Sequence, residues 1–182
     1  ARILAGKVMP VTVGKANSRY FLLRVGIGLD AAVADAVNPE MKRRMGKAAF
    51  ALAALQYVRQ WRLDPFRVEL PGGESFVGYF AVAGNGHSYG GGFRLTPEAN
   101  LTDPNLDLCI FTTDQMVDYF RFSLAALAGA HRLLPGVIYR KVPEIRVTSL
   151  SDQRVPFQVD GEVVGNLPVT LTTVPGGVRL LV

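Results

Sequence analysis

Glu162 stands two residues after Asp160, with Gly161 between them, inside a run of apolar residues from Val155 to Val164. An Asp-Gly pair supplies the positive φ angles that a two-residue hairpin demands. On the plainer reading Asp160 is a turn residue, and Glu162 opens the returning strand as a solvated carboxylate. On the other, the hairpin tip holds Glu162 rigidly in a cleft with Asp160 beside it. There a carboxylate can take the proton of a hydroxyl as general base. These two acids are the catalytic candidates.

A second segment could meet a ligand through its backbone. Asn85-Gly86-His87-Ser88-Tyr89 runs into Gly90-Gly91-Gly92 directly after an apolar stretch. Consecutive glycines let N–H groups converge into a nest for phosphate oxygens. They equally make a wide turn or a bulge between strands. The segment lacks the Lys-Ser/Thr ending of a phosphate-binding P-loop. Ordering so many glycines is costly in chain entropy, which points to a close approach to that backbone. Asn85, Gly86, Gly90, Gly91 and Gly92 are therefore candidates for holding a phosphorylated cofactor.

The run Asn100 to Leu108 is rich in oxygen ligands. Its Asp-x-Asn-x-Asp spacing is that of a calcium loop, but Leu108 replaces the required glycine, which excludes an EF-hand. A looser site, with the Asp103 carboxylate and loop carbonyls around a hydrated Mg²⁺, stays open beside a plain Asx turn. His87 and His131 stand far apart with no Cys or His near either, so a metal or triad role is not expected. His87, within the glycine loop, is the better ligand contact. Cys109 lies in an apolar strand and reads as a buried, inert thiol. Lys42-Arg43-Arg44 with Lys47 is either a solvated face or a contact for anionic lipid headgroups.

Elements must position these groups. Tyr20–Val25 reads as a buried strand ending at Gly26-Ile27-Gly28. Asp30–Val37 reads as a helix capped by Asp30, and an alanine-rich helix spans roughly Lys42 to Trp61. Phe66–Leu70, the turn Pro71-Gly72-Gly73 and Phe76–Ala83 form a hairpin pattern. Leu106–Phe111 is a strand. Asp114 to about Leu134 is an amphipathic helix capped by Asp114 and stopped by Pro135-Gly136. Short strands follow at Val137–Tyr139, Glu144–Thr148, Val155–Val159, Glu162–Val164, Val169–Thr173 and Val178–Val182.

The 182 residues are 49% hydrophobic and 19% charged, which excludes a disordered or low-complexity chain. The single cysteine excludes an internal disulfide and a cysteine-clustered zinc site, and fits a reducing, intracellular compartment. No secretory leader and no apolar run of membrane-spanning length is visible. A formal charge of +5 attracts anions without choosing among them. No nucleic-acid-binding motif accompanies it, so nucleic acid is not the expected partner. The expected fold is mainly β with α insertions (α+β), a two-layer antiparallel β-sandwich with two or three helices. All 182 residues form one domain. The initial Ala1 suggests a piece of a longer protein.

In order, these segments resemble the C-terminal domain of the bacterial lipid kinases related to diacylglycerol and sphingosine kinases. The resemblance runs through Tyr20-Phe21, Gly26-Ile27-Gly28-Leu29-Asp30-Ala31, the Gly46 helix start, Asn85-Gly86 and Gly90-Gly91-Gly92. It continues with Pro97-x-Ala99, Asp103 before Leu106-Asp107-Leu108, and Val159-Asp160-Gly161-Glu162. It implies a two-domain enzyme whose N-terminal half carries a Gly-Gly-Asp-Gly-Thr nucleotide motif, absent here. It further implies ATP as phosphoryl donor, a diacylglycerol-like lipid hydroxyl as acceptor, and Glu162 as the base. An accessory Mg²⁺ would sit at Asp103 with the carbonyls of Asn100 and Asn105.

The implied location is cytoplasmic, with peripheral contact at the inner face of the membrane. Oligomeric state stays open, a homo-oligomer included. Two residues depart from the family pattern. Pro104 stands where a glycine is usual, and Thr12 where an acid is common; both bear on the metal. A non-catalytic lipid- or nucleotide-binding sandwich, or the matching domain of an NAD kinase, remains as an alternative.

Overall fold

The computed structural model describes residues 6–29, 31, 63–87 and 94–181. Within them lie twelve strands: β1 (Val8–Ala16), β2 (Arg19–Phe21), β3 (Arg24–Gly28), β4 (Phe66–Glu69), β5 (Ser75–Gly78), β6 (Phe80–Gly84), β7 (Leu106–Phe111), β8 (Val137–Val142), β9 (Glu144–Ser149), β10 (Pro156–Val159), β11 (Glu162–Asn166) and β12 (Val169–Leu181). One helix, α1 (Met116–Leu127), and a 3₁₀ turn at His131–Leu133 join β7 to β8. The strands pair antiparallel in two six-stranded sheets, ordered β2-β1-β12-β9-β4-β5 and β11-β10-β3-β6-β7-β8. This is the expected two-layer antiparallel sandwich. The expected helices at Asp30–Val37 and Lys42–Trp61 lie outside the described residues, except Ala31, which is buried.

Alternation of side chains builds the core. Leu106, Leu108 and Ile110 of β7 point between the sheets, where they join Val25, Ile27, Phe66, Val68, Ala81, Ala83, Ile145, Val147, Phe157 and Leu171. Cys109 and Phe111 point the other way, under α1, against Tyr119, Phe122 and Ala126. Covered on both faces, β7 is buried at every position. Each large aliphatic side chain so removed from water stabilises the fold by about 1.5–3 kcal/mol.

Several elements differ from the sequence expectation, each for a local reason. Tyr20–Val25 is not one strand. Leu22 and Leu23 break it, and β2 and β3 belong to different sheets. Phe76–Ala83 likewise divides at Tyr79, where the chain passes from one sheet to the other. The two strands expected at Val169–Thr173 and Val178–Val182 are, as far as Leu181, parts of one strand. β12 continues through Pro175-Gly176-Gly177 by bulging between Val174, opposite Val13, and Val178, opposite Val11.

The helix is shorter than its apolar pattern suggested. The Asp114 carboxylate is not its cap. The N-cap is Gln115, whose side chain makes no capping bond, and Thr113 Oγ1 accepts from the Gln115 N–H. The helix stops at Gly129, well before Pro135-Gly136. Gly129 has φ +71°, its N–H donates to Ala126, and the Ala130 N–H reaches back to Ala125. This pair of bonds is a Schellman ending.

Candidate functional site

Asp160 and Gly161 form the turn that their types dictate, with φ of 49° and 92° and with Val159 paired to Glu162 across it. Asp160 does more than turn the chain. Its carboxylate accepts backbone N–H bonds from Leu22 at 2.8 Å, Leu23 at 3.0 Å and Arg24 at 2.8 Å. The acid therefore clamps the segment in which the chain leaves one sheet for the other. Gly161 N–H donates to Gln158 Oε1, which steadies the hairpin tip from within.

Glu162 projects from that tip with 71% of its side chain exposed and pairs with Arg19 through Oε2. Arg19 starts β2, so two strands of different sheets hold the carboxylate from either side. The group is solvent-accessible, negatively charged and restrained, the condition in which a carboxylate can receive a proton.

The Leu22-Leu23 segment carries the connection onward. Leu23 C=O accepts from the N–H groups of Asn85 at 2.8 Å and Gly86 at 3.0 Å. Asn85 Nδ2 donates to Leu22 C=O and to Thr12 C=O, each at 2.8 Å. Asn85 is fully buried, and its Oδ1 meets no donor among the described residues. Thr12 sits within the bulge, opposite no residue of β12, so its N–H is free to donate to Leu101 C=O at 2.6 Å. A continuous hydrogen-bonded path thus joins the Glu162 hairpin, the Asn85-Gly86 segment and the Asn100–Asn105 loop at one margin of the sandwich.

Gly90, Gly91 and Gly92 lie outside the described residues. His87 is exposed. His131 is buried and far from this margin in role: its Nε2 lies 3.1 Å from Leu95 C=O, its ring stands edge-on to Phe122, and desolvation holds its pKa below the usual histidine value. It packs the loop under α1.

The oxygen-rich loop is closed by its own donors. Asp103 Oδ1 accepts from Asn105 N–H at 2.9 Å and Asn105 Nδ2 at 3.1 Å, while Oδ2 accepts from Lys141 Nζ at 2.8 Å. The Lys141 hydrogen bond is the main reason that the Asp103 carboxyl titrates below its ordinary range. Asn100 Oδ1 accepts from the N–H and the hydroxyl of Thr102, and Asn100 C=O accepts from Asp103 N–H. Among the described residues no three His, Cys, Asp or Glu side chains gather where they could hold a metal. Mg²⁺ binds through one or two carboxylates and keeps several waters, and the Asp103 carboxylate does not fit it because both its oxygens are engaged by Asn105 and Lys141.

Beneath the loop, Asp107 is fully buried on β7 and takes a 3.0 Å bond from the Tyr139 hydroxyl. Burial raises its pKa, against the opposing hydrogen bond from Tyr139. Sequence reasoning missed Arg19, Leu22-Leu23, Tyr139 and Lys141, and it singled out Thr12 only for its bearing on the metal, not for its backbone. Their contributions are backbone groups or partners more than thirty residues away in sequence, which no local pattern announces.

The YegS C-terminal NAD kinase beta sandwich-like domain matches residues 23–182. Diacylglycerol kinase of Staphylococcus aureus (strain bovine RF122 / ET3-1) is 28% identical over 170 residues, covering 91% of this chain and 52% of that protein. Diacylglycerol kinase of Staphylococcus carnosus (strain TM300) is 29% identical over 168 residues, covering 91% and 54%. The chain spans about half the length of these curated relatives. The crystal structure of a diacylglycerol kinase from Bacillus anthracis str. Sterne superposes with a TM-score of 0.72 at 21% identity, over 99% of this chain and 58% of that one. This last likeness concerns the fold.

Proposed function

We propose, from the premise that the chain belongs to the YegS C-terminal domain family of diacylglycerol kinase-like proteins, that it is the acceptor-side half of an ATP-dependent lipid kinase. A second, N-terminal domain of the same protein supplies the nucleotide cradle. The observation that carries this reading is the exposed Glu162 carboxylate, held at the tip of a hairpin that Asp160 clamps to β3.

In this mechanism the lipid hydroxyl approaches Glu162, and its oxygen attacks the γ-phosphorus of ATP. The O–H proton passes to the carboxylate as the new P–O bond forms. The bond from the γ-phosphorus to the bridging oxygen breaks, and ADP leaves. Phosphoryl transfer is mostly positioning and charge stabilisation, so a base on one domain and the nucleotide on the other suit a closing cleft. Arg19 fixes the carboxylate, and Asn85 with Gly86 fixes the Leu22-Leu23 segment to which Asp160 clamps its hairpin. ATP as donor is supported by the relatives' name as kinases. Mg²⁺ would come with the nucleotide and would screen phosphate charge there.

A diacylglycerol-like acceptor in a bilayer is supported by α1. Its Tyr119, Phe122 and Ala126 face the sheet, yet Val117, Phe120, Leu124 and Leu127 stand exposed on the other side, Phe120 by 68%. An apolar outer face of this kind suits peripheral contact with lipid. The Lys42–Lys47 cluster lies outside the described residues. No described helix is long and apolar enough to cross a membrane.

The decisive experiment is lipid phosphorylation by the full-length protein carrying Glu162→Gln. Loss of the base lowers kcat by about 10²–10⁴-fold. Melting temperature stays near the wild-type value, because the Arg19 pair is exposed. Normal turnover by the variant would end the assignment of Glu162. Binding of lipid or nucleotide without any turnover by the wild-type protein would favour a non-catalytic sandwich.

A further inference from the structure

The Asn100–Asn105 loop needs positive charge. Asp103 and, one turn of strand further, the buried Asp107 bring two carboxylates to the same end of β7. One side chain answers both. Lys141 on β8, paired opposite Asp107 in the ladder, places Nζ 2.8 Å from Asp103 Oδ2 and 3.7 Å from Asp107 Oδ2. Within the loop, Asn100 Oδ1 accepts from Thr102 and Asn100 C=O from Asp103 N–H, and Pro104 C=O takes a 2.7 Å bond from the Thr173 hydroxyl of β12. Both oxygens of the Asp103 carboxylate, the one charged group a metal would draw on in this loop, are taken by N–H donors.

We propose that the Lys141 ammonium is the built-in cation of this loop, standing where relatives of this architecture are expected to use an accessory divalent metal. Asp103 is a ligand of that ammonium. The loop, and with it the Leu101-to-Thr12 bond that reaches the Asn85 segment, is formed without Mg²⁺. Several features fit together on this reading. Pro104, whose fixed φ suits a preformed turn, stands where a flexible residue would let carbonyls swing toward a metal. Tyr139 holds the second carboxylate in place by donating to Asp107 Oδ1. The proposal concerns the folded loop and is independent of whether Glu162 acts as a base.

The test is thermal unfolding of the full-length protein without nucleotide, in EDTA and in excess MgCl₂ or MnCl₂. Wild type, Asp103→Asn, Lys141→Met and Lys141→Arg are compared. A ligand that binds only the folded state raises the melting temperature. Any metal-induced rise in the wild type must come from elsewhere, so Asp103→Asn shows the same rise. Lys141→Met lowers the melting temperature in EDTA by about 2–4 °C, and Lys141→Arg restores most of it. A metal-induced rise that Asp103→Asn abolishes would overturn the proposal, and so would a Lys141→Met protein that melts like the wild type in EDTA. The comparison of wild type with Asp103→Asn stands even if the methionine variant fails to fold.

Discussion

Asp160 shows how one side chain can serve several structural purposes. It turns a hairpin in a conformation with φ of 49°, and its two oxygens accept three backbone N–H bonds from Leu22, Leu23 and Arg24. Hydrogen bonds to a charged acceptor are worth about 1.5–3 kcal/mol each. The bonds here are exposed and share one carboxylate. Asp160→Ala is therefore expected to destabilise the protein by about 2–4 kcal/mol in denaturant titration. Asp160→Asn should lose about half as much, because asparagine tolerates the left-handed turn and keeps one acceptor oxygen. An asparagine variant as stable as the wild type beside a destabilised alanine variant would mean that the turn, rather than the clamp, is what matters. The turn itself was legible from Asp160-Gly161. The clamp was not, since its nearest partner lies 136 residues away. Glu162 was legible as an exposed acid, whereas its Arg19 partner was not.

At the scale of elements, close approach of backbones decides where the margin of the site can form. Gly84 ends β6 immediately before Asn85, and a Cβ there would lie 2.1 Å from Thr96 Oγ1 and 2.7 Å from Thr96 Cβ. Thr96 is buried, and its hydroxyl reaches Gly86 C=O at 3.4 Å. Gly84→Ala should thus push Thr96 off the site segment and cost about 1–3 kcal/mol by overpacking. Thr96→Gly in the same chain is expected to recover part of that loss; strict additivity in the double variant would show that the two positions do not touch. Strands such as β7 and β9 were legible because apolar residues alternate or run continuously. β1 was not read as a strand at all. Its Val11-Thr12-Val13 run is bulged, so the residue that serves the site is the one that leaves the ladder. The end of α1 was misplaced because Leu133 and Leu134 extend the apolar pattern beyond Gly129, where the backbone has already turned.

For the molecule as a whole, the double-layered burial of β7 makes Cys109 a reporter of global opening. Its side chain lies between the sheet and α1, and burial pushes its pKa up to about 12. A thiol reagent should label it in the native protein at least about a thousandfold more slowly than in denaturant, matching the rarity of the unfolded state. Labelling at comparable rates would show that α1 lifts off without the sandwich unfolding. The two-sheet class was legible from many short strands at close spacing. The sheet assignments were not, because the chain changes layer within one or two residues at Leu22-Leu23, Tyr79, Pro143 and Leu167-Pro168, where composition gives no sign of it. The ladder of β1 and β12 has a mechanical consequence. Val8 pairs with Leu181, so polypeptide arriving at one and departing from the other leaves from neighbouring points. Tension between those points would peel the two strands apart rung by rung, like a zip, and would meet far less resistance than a pull that slides strands past one another.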